Sequence, residues 1–170
     1  MTRIWKMSGG LIHDRPFPDM EIRSMERCPN QPSWFAYYKE NMEGLGLAAP
    51  GIYGSVSTLI AALGGMVALA EKMGPRVTII EVAKAGTKTE MFAVLSAVSA
   101  SIYLGAAVGS AAVASGRTLS CGTSLSDVLA YSSRNGLSSD SVRTVLITRR
   151  EIYDYKRPSR RYYASLAAAV

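Results

Sequence analysis

Two long stretches without a charged residue constrain this chain more than any other feature of its sequence. Residues 44–70 and 91–116 span 27 and 26 positions, and ionised side chains bracket both stretches. Glycine, alanine and serine supply 14 residues of the first stretch and 16 of the second. An uncharged run of about 18 residues is long enough to cross a bilayer as a helix. Because small side chains add little transfer free energy, the composition favours two closely packed helices over two strongly lipid-seeking ones.

The order of the local signals predicts a mainly α fold with three regions. Residues 1–43 form a polar, proline-rich leader, residues 44–116 a Gly/Ala-rich two-helix hairpin, and residues 117–170 a helical, basic C-terminal region. Pro50 suits the first position of a helix over 50–70, since its missing N–H costs nothing there. The β-branched residues in 77–82 predict a short strand in the connector. A second helix is expected over 89–115, ended by Gly116.

Capping residues predict shorter helices on either side of the hairpin. Ser33 is placed to cap a helix over 33–42. A helix is expected over 124–133, followed by a turn at Asn135-Gly136. Ser139 or Asp140 is placed to cap a further amphipathic helix, after which residues 156–161 form a basic tail broken by proline.

Charge and cysteine content narrow the environment of the protein. The net charge is +6, and residues 117–170 carry nine basic and four acidic groups. Such a region favours anionic lipid, an acidic partner or nucleic acid. No stripe of basic residues interleaved with aromatics is evident, so we expect no nucleic-acid partner. Cys28 and Cys121 allow one disulfide or two free thiols, and the first residues lack the apolar segment of a secretory signal peptide.

Residues for catalysis are scarce. His13 is the single histidine, and no cluster of cysteine and histidine has metal-ligand spacing. Cys121 has no base nearby in the sequence, so a nucleophilic role is not expected. The glycines at 44 and 46 begin a dinucleotide-type fingerprint, but the preceding residues read as a helix instead of the required strand. We therefore expect no catalytic, cofactor-binding or metal site, and no enzymatic activity.

Small residues recur every fourth position within both uncharged stretches. Residues four apart share one helix face, so each series offers a smooth surface to another backbone. In the second stretch the series runs from Ala93 and ends in a G-x-x-x-G pattern. The predicted helix-packing or pore residues are Ser57, Ala61, Gly65, Ala97, Ser101, Gly105 and Gly109.

The layout of residues 50–116 resembles that of glycine-zipper, pore-forming interbacterial toxins delivered by type VI secretion. The resemblance rests on the Gly/Ala-rich hairpin and on the missing signal peptide. It implies insertion into the inner membrane of a target bacterium, ion leakage, and a cytoplasmic location in the producer before export. It also implies a secretion tube or spike component and a cognate immunity protein as partners, with the lipid bilayer as the site of action and a homo-oligomer forming in it.

Two other interpretations remain open. The chain is alternatively a resident two-span membrane protein, holin-like or an accessory subunit. It is otherwise a soluble structural or binding subunit of a larger assembly. The resident interpretation is weakened by the missing belt of Trp and Tyr at the span ends and by the even distribution of Lys and Arg around the spans.

Overall fold

The computed structural model describes residues 33–49, 54–86, 98–120 and 123–168. Within these ranges the chain is mainly helical, as the sequence predicts. The helices are α1 (Trp34–Gly44), α2 (Val56–Met73), α3 (Ile79–Ala85), α4 (Ala100–Ser120), α5 (Leu125–Arg134), α6 (Asp140–Thr148) and α7 (Tyr163–Ala168). Two 3₁₀ segments, Arg150–Ile152 and Pro158–Tyr162, connect α6 to α7.

Helix α4 lies at the centre of the fold. It contacts α1, α2, α3, α5 and α6, and every residue from 102 to 114 is buried. A helix that is apolar on all sides is stable in water only when other elements cover it. The amphipathic helices α1, α5 and α6 supply that cover with Met42, Val128 and Leu146, each of which is fully buried.

The helices α1, α5 and α6, which lie outside the predicted hairpin, each begin directly after a capping residue. Ser33, Ser124 and Ser139 each accept a hydrogen bond from a backbone N–H in the first turn of α1, α5 and α6. These contacts satisfy donors that a helix start otherwise leaves unpaired. The predicted cap at Ser33 is confirmed, and of the two candidates Ser139 and Asp140 the cap is Ser139; the helix expected over 124–133 is confirmed with Ser124 as its cap.

Helices α1 and α5 end in the same way. In each, a backbone N–H two residues beyond the helix cap bonds back to a carbonyl of the last turn, from Leu47 to Met42 and from Leu137 to Ser132. This Schellman geometry needs a left-handed residue, which Gly46 and Gly136 provide with φ of 73° and 66°. The predicted turn at Asn135-Gly136 is therefore confirmed.

The predicted strand over 77–82 is wrong. Residues from Ile79 onward form α3, because Glu81 accepts hydrogen bonds from the Thr78 backbone N–H at 2.8 Å and hydroxyl at 2.7 Å. This capping box starts a helix whose buried face contains Ile79, Val82 and Ala83. Extended pairing in this region is reduced to one antiparallel bridge, between Thr78 and Ser99.

The second long helix also has other bounds than the predicted 89–115. The bridge holds residues 98 and 99 extended, with the Ile79 N–H bonded to the Val98 carbonyl at 2.9 Å, so α4 begins at Ala100. Gly116 does not end the helix, which continues to Ser120. In the first hairpin helix, Pro50 lies outside the described residues, and α2 begins at Val56 behind the capping residue Ser55.

Candidate functional site

The two helices that contain the uncharged stretches have opposite environments despite their similar compositions. Helix α2 is long and apolar enough to cross a membrane, and only 28% of it is buried. The uncharged part of α4, Ala100–Gly116, is shorter and almost completely enclosed. Helix α2 therefore presents a face to the outside that α4 lacks.

One face of α2 holds this helix to the rest of the protein. Leu59, Leu63, Met66, Val67 and Ala70 are buried and follow the helical spacing of three and four residues. The opposite face has no charge between Val56 and Ala70. Its most exposed positions carry small residues, so it presents a smooth, weakly apolar surface.

The first small-residue series lies on that exposed face. Ser57, Ala61 and Gly65 are all exposed, and a Cβ placed on Gly65 meets nothing within 4 Å. The Ser57 hydroxyl lies 2.8 Å from the Ser55 hydroxyl at the helix start. This series therefore lies on an exposed face of α2, with free space at Gly65.

The second small-residue series, which includes Gly105 and Gly109, is covered by other elements of the fold. A Cβ on Gly105 overlaps the Val145 side chain of α6, and one on Gly109 overlaps Ile152 and approaches Leu146 Cδ2 at 3.1 Å. The missing side chains let α6 and the first 3₁₀ segment lie directly on α4. Of the remaining predicted members, Ser101 is half-buried and bonds Ser99 at 3.0 Å, and Ala97 is outside the described residues.

A polar network that the sequence analysis missed fastens the C-terminal segment to α1 and α4. The buried Asn41 amide donates to the Ser110 hydroxyl and to the Ile152 carbonyl, both at 2.8 Å. Arg160 in turn donates to the Asn41 side-chain oxygen at 2.8 Å and to the Glu151 carbonyl at 2.5 Å. Because these groups lie within or against the core, breaking the network leaves unpaired polar atoms.

Two buried tyrosines also tie their surroundings to the central helix. The Tyr103 hydroxyl donates to the Ala48 carbonyl at 3.0 Å, and the Tyr163 hydroxyl donates to the Ile102 carbonyl at 2.9 Å. Burial raises the pKa of Tyr163, so this hydroxyl keeps its proton. The tyrosine in the middle of the second uncharged stretch thus has a hydrogen-bonding role in the folded form.

The described residues offer little for catalysis. They contain no group of three or more metal-ligating side chains. A cleft of about 200 Å³ lies beside the end of α2, and its lining includes Glu71, Ser101 and Asp140. Among the described residues neither carboxylate is hydrogen-bonded to Ser101, whose hydroxyl lies 3.0 Å from that of Ser99. His13, Cys28 and Cys121 lie outside the described residues, so their predicted lack of a catalytic role stays a prediction.

The start of the fingerprint-like sequence at Gly44 has a structural role. It follows the helix α1, and Gly46 forms the left-handed turn that ends this helix. The geometry therefore lacks the strand that must precede a dinucleotide-binding turn.

Comparison with known protein families, with curated proteins and with solved structures finds no match.

Proposed function

We propose that this protein permeabilises membranes, and that the described fold is its water-soluble form. The observation that carries the proposal is the state of α2, an apolar helix of 18 residues whose two charged residues, Glu71 and Lys72, lie in its last turn and of which 28% is buried. When such a helix moves into hydrocarbon, the protein contacts that it loses are mainly those of its one buried face. The bilayer covers the apolar surface that the fold leaves exposed to water.

The composition of α4 lowers the free-energy cost of a larger rearrangement, in which α4 also leaves its contacts in the core. Its buried residues include the alanines at 100, 106, 107, 111, 112 and 114. A buried CH₂ contributes about 0.8 kcal/mol, so alanine and glycine anchor a helix in a core less firmly than leucine does. Lipid tails are as apolar as a protein core, so α4 can exchange α6 for lipid or for another helix with little change in hydrophobic free energy.

The finer proposal follows the resemblance of residues 50–116 to type VI secretion toxins. On this basis the protein is a non-enzymatic antibacterial toxin that oligomerises in the inner membrane of a target cell and causes ion leakage. A secretion tube or spike component delivers it, and a cognate immunity protein protects the producer. Gly105 and Gly109, released from α6, then pack against another α4 or α2.

A vesicle assay with one charge variant tests the proposal. Gly65 lies at the middle of α2 with free space around its Cβ, so Gly65→Asp fits the soluble fold. A charge at the centre of a spanning helix costs roughly 2.5–3.5 kcal/mol, or about a 100-fold loss of insertion. The purified protein should release dye from vesicles and dissipate a potassium diffusion potential, and Gly65→Asp should do so about 100-fold less well.

Thr144→Asp is the matched control, because it adds the same charge to an exposed position of α6. Both variants should melt close to the wild-type temperature. Equal leakage by the two variants contradicts insertion of α2. Absence of leakage by the folded wild-type protein at every protein-to-lipid ratio removes the pore proposal altogether.

The second candidate is a soluble binding module, favoured by the completeness of the packing around Gly105 and Gly109. Here α4 is a permanent core helix, and the exposed series on α2 packs against a helix of a partner protein. Gly65→Leu separates the candidates, because it blocks close helix packing but raises the apolarity of α2. Loss of a co-purifying partner without any vesicle leakage by the wild type supports the module. Recovery of the expressed wild type only in the membrane pool supports the resident membrane protein instead.

A further inference from the structure

The C-terminal segment places cations and aromatic rings together on the surface, a grouping that the sequence analysis did not identify. This basic–aromatic surface consists of Arg150, Tyr155, Lys156, Arg157, Arg161 and Tyr162, all of which are exposed. Tyr155 and Tyr162 are 64% and 56% exposed, which makes them the most exposed of the large hydrophobic residues described. Two tyrosines exposed to this degree within one short segment need a physical explanation.

A cation accompanies each exposed ring. The Lys156 ammonium lies 5.8 Å from the centroid of the Tyr155 ring, and the Arg161 guanidinium lies 4.9 Å from that of Tyr162. Both pairs present an amphipathic ring and a positive charge to the same surroundings. This combination is typical of protein segments that lie at the level of lipid headgroups.

The charge balance of the surface is strongly positive. Residues 150–162 contribute one exposed or half-buried carboxylate, Asp154, which pairs with Arg157 at 3.3 Å. The other acid, Glu151, is buried and lies 3.9 Å from Arg149. Arg160 does not belong to the surface, because its guanidinium turns inward to the Asn41 network. Arg150, Lys156 and Arg161 therefore remain available to an anionic partner.

We infer that the basic–aromatic surface docks this protein on the surface of an anionic phospholipid bilayer. The inference rests on the proposed function, for which docking is the step before α2 inserts. Tyrosine rings enter the headgroup layer while the cations neutralise lipid phosphates, each cation near the surface adding about a fivefold gain in binding. The exposed apolar face of α2 favours a bilayer over nucleic acid as the partner of the same protein.

Two triple variants of equal net charge test the inference. The first is Arg150→Gln with Lys156→Gln and Arg161→Gln, which leaves the inward-pointing Arg160 and the Asp154–Arg157 pair intact. The matched control is Arg76→Gln with Arg134→Gln and Arg143→Gln, whose positions are also exposed but lie on other elements. Sedimentation of the full chain with phosphatidylcholine vesicles, with and without phosphatidylglycerol, measures docking. Circular dichroism and the melting temperature check the fold of each variant.

The wild type should bind vesicles that contain phosphatidylglycerol, and the first triple variant should bind about 100-fold more weakly. The control triple should lose less than about fivefold. A second pair separates the rings from the charges: Tyr155→Ala with Tyr162→Ala should weaken docking, whereas Ile147→Ala, which removes another exposed apolar side chain, should not. Equal losses in the two triples overturn the inference, because only total charge then matters.

Other outcomes separate the docking surface from the pore. Docking without dye release supports the docking surface and contradicts the pore proposal. Dye release that is equal from neutral and anionic vesicles keeps the pore and overturns the docking surface. Tighter binding to a DNA duplex than to anionic vesicles, at the same near-physiological salt and lost in the first triple variant, also overturns the inference and assigns the surface to nucleic acid.

Discussion

A single methyl group added at Gly109 tests the close approach that holds the C-terminal segment against α4. The Cβ of alanine at this position overlaps Ile152 and comes within 3.1 Å of Leu146 Cδ2. Leu146 can rotate its terminal methyl away, but Ile152 is fully buried and sits in the 3₁₀ segment. The segment therefore has to move away from α4 to admit the methyl group.

Two opposing contributions set the size of the effect. Alanine is more favourable than glycine in a helix interior by about 0.5–1 kcal/mol, and overpacking of a core costs about 1–3 kcal/mol. We expect Gly109→Ala to lower the free energy of unfolding by about 1–2 kcal/mol, or about 2–8 °C in melting temperature. Gly65→Ala supplies the control, because its Cβ meets nothing within 4 Å and α2 should gain about 0.5–1 kcal/mol.

Thermal and urea unfolding followed by circular dichroism measure both variants. A double-variant cycle with Ile152→Ala identifies the contact, because this change leaves only the Ile152 Cβ, at 3.6 Å. In that background Gly109→Ala should become neutral or stabilising. If Gly109→Ala instead stabilises the wild-type protein as much as Gly65→Ala does, α4 and the 3₁₀ segment do not lie as close as the structure places them.

Three further predictions concern the polar network, the cap of α5 and the chemistry. Asn41→Ala should cost about 1–3 kcal/mol in unfolding free energy, because it leaves its buried hydrogen-bond partners unpaired; an unchanged urea midpoint contradicts the network. Hydrogen bonds from the Ser124 hydroxyl and backbone N–H hold the pKa of Asp127 below its ordinary value, so the cap contributes stability above the unfolded-state pKa that is lost as pH falls through the folded-state pKa. Ser124→Ala should raise the Asp127 pKa in a carboxyl NMR titration, and no shift argues against the capping box. Vesicle leakage should survive the combined substitution His13→Ala, Cys28→Ser and Cys121→Ser, which replaces the chemically reactive side chains outside the described residues. Loss of leakage in this variant at unchanged stability would indicate an enzymatic mechanism.

The sequence by itself determined those features that depend on residues within about four positions of each other. Ser33, Ser124 and Ser139 cap their helices because a short hydroxyl side chain reaches the N–H groups of the next turn in any context. Asn135-Gly136 ends α5 because glycine adopts the left-handed conformation without steric cost. The uncharged stretches likewise predict apolar helices, since periodicity and composition are local properties of the chain.

Tertiary structure determined the conformation of those segments in which long-range contacts compete with local preference. The β-branched residues after Val77 form α3 because the capping box and a buried helix face outweigh strand propensity. The helix α4 starts at Ala100 because Ser99 pairs with Thr78, which lies 21 positions earlier. Such pairings depend on how the whole chain folds, so no window of sequence around residue 100 contains them.

The same reason separates features that look alike in the sequence. The two small-residue series have the same spacing, yet Gly105 and Gly109 are covered by residues about 40 positions later while Ala61 and Gly65 stay exposed. Arg160 and Arg161 are neighbours in one basic tail, yet the first turns inward to Asn41 and the second lies over an exposed tyrosine ring. Composition determines that an apolar helix must be covered by other residues and that a cation needs an anionic or aromatic partner. Only the tertiary arrangement decides which helices are covered and which cations are paired within the protein itself.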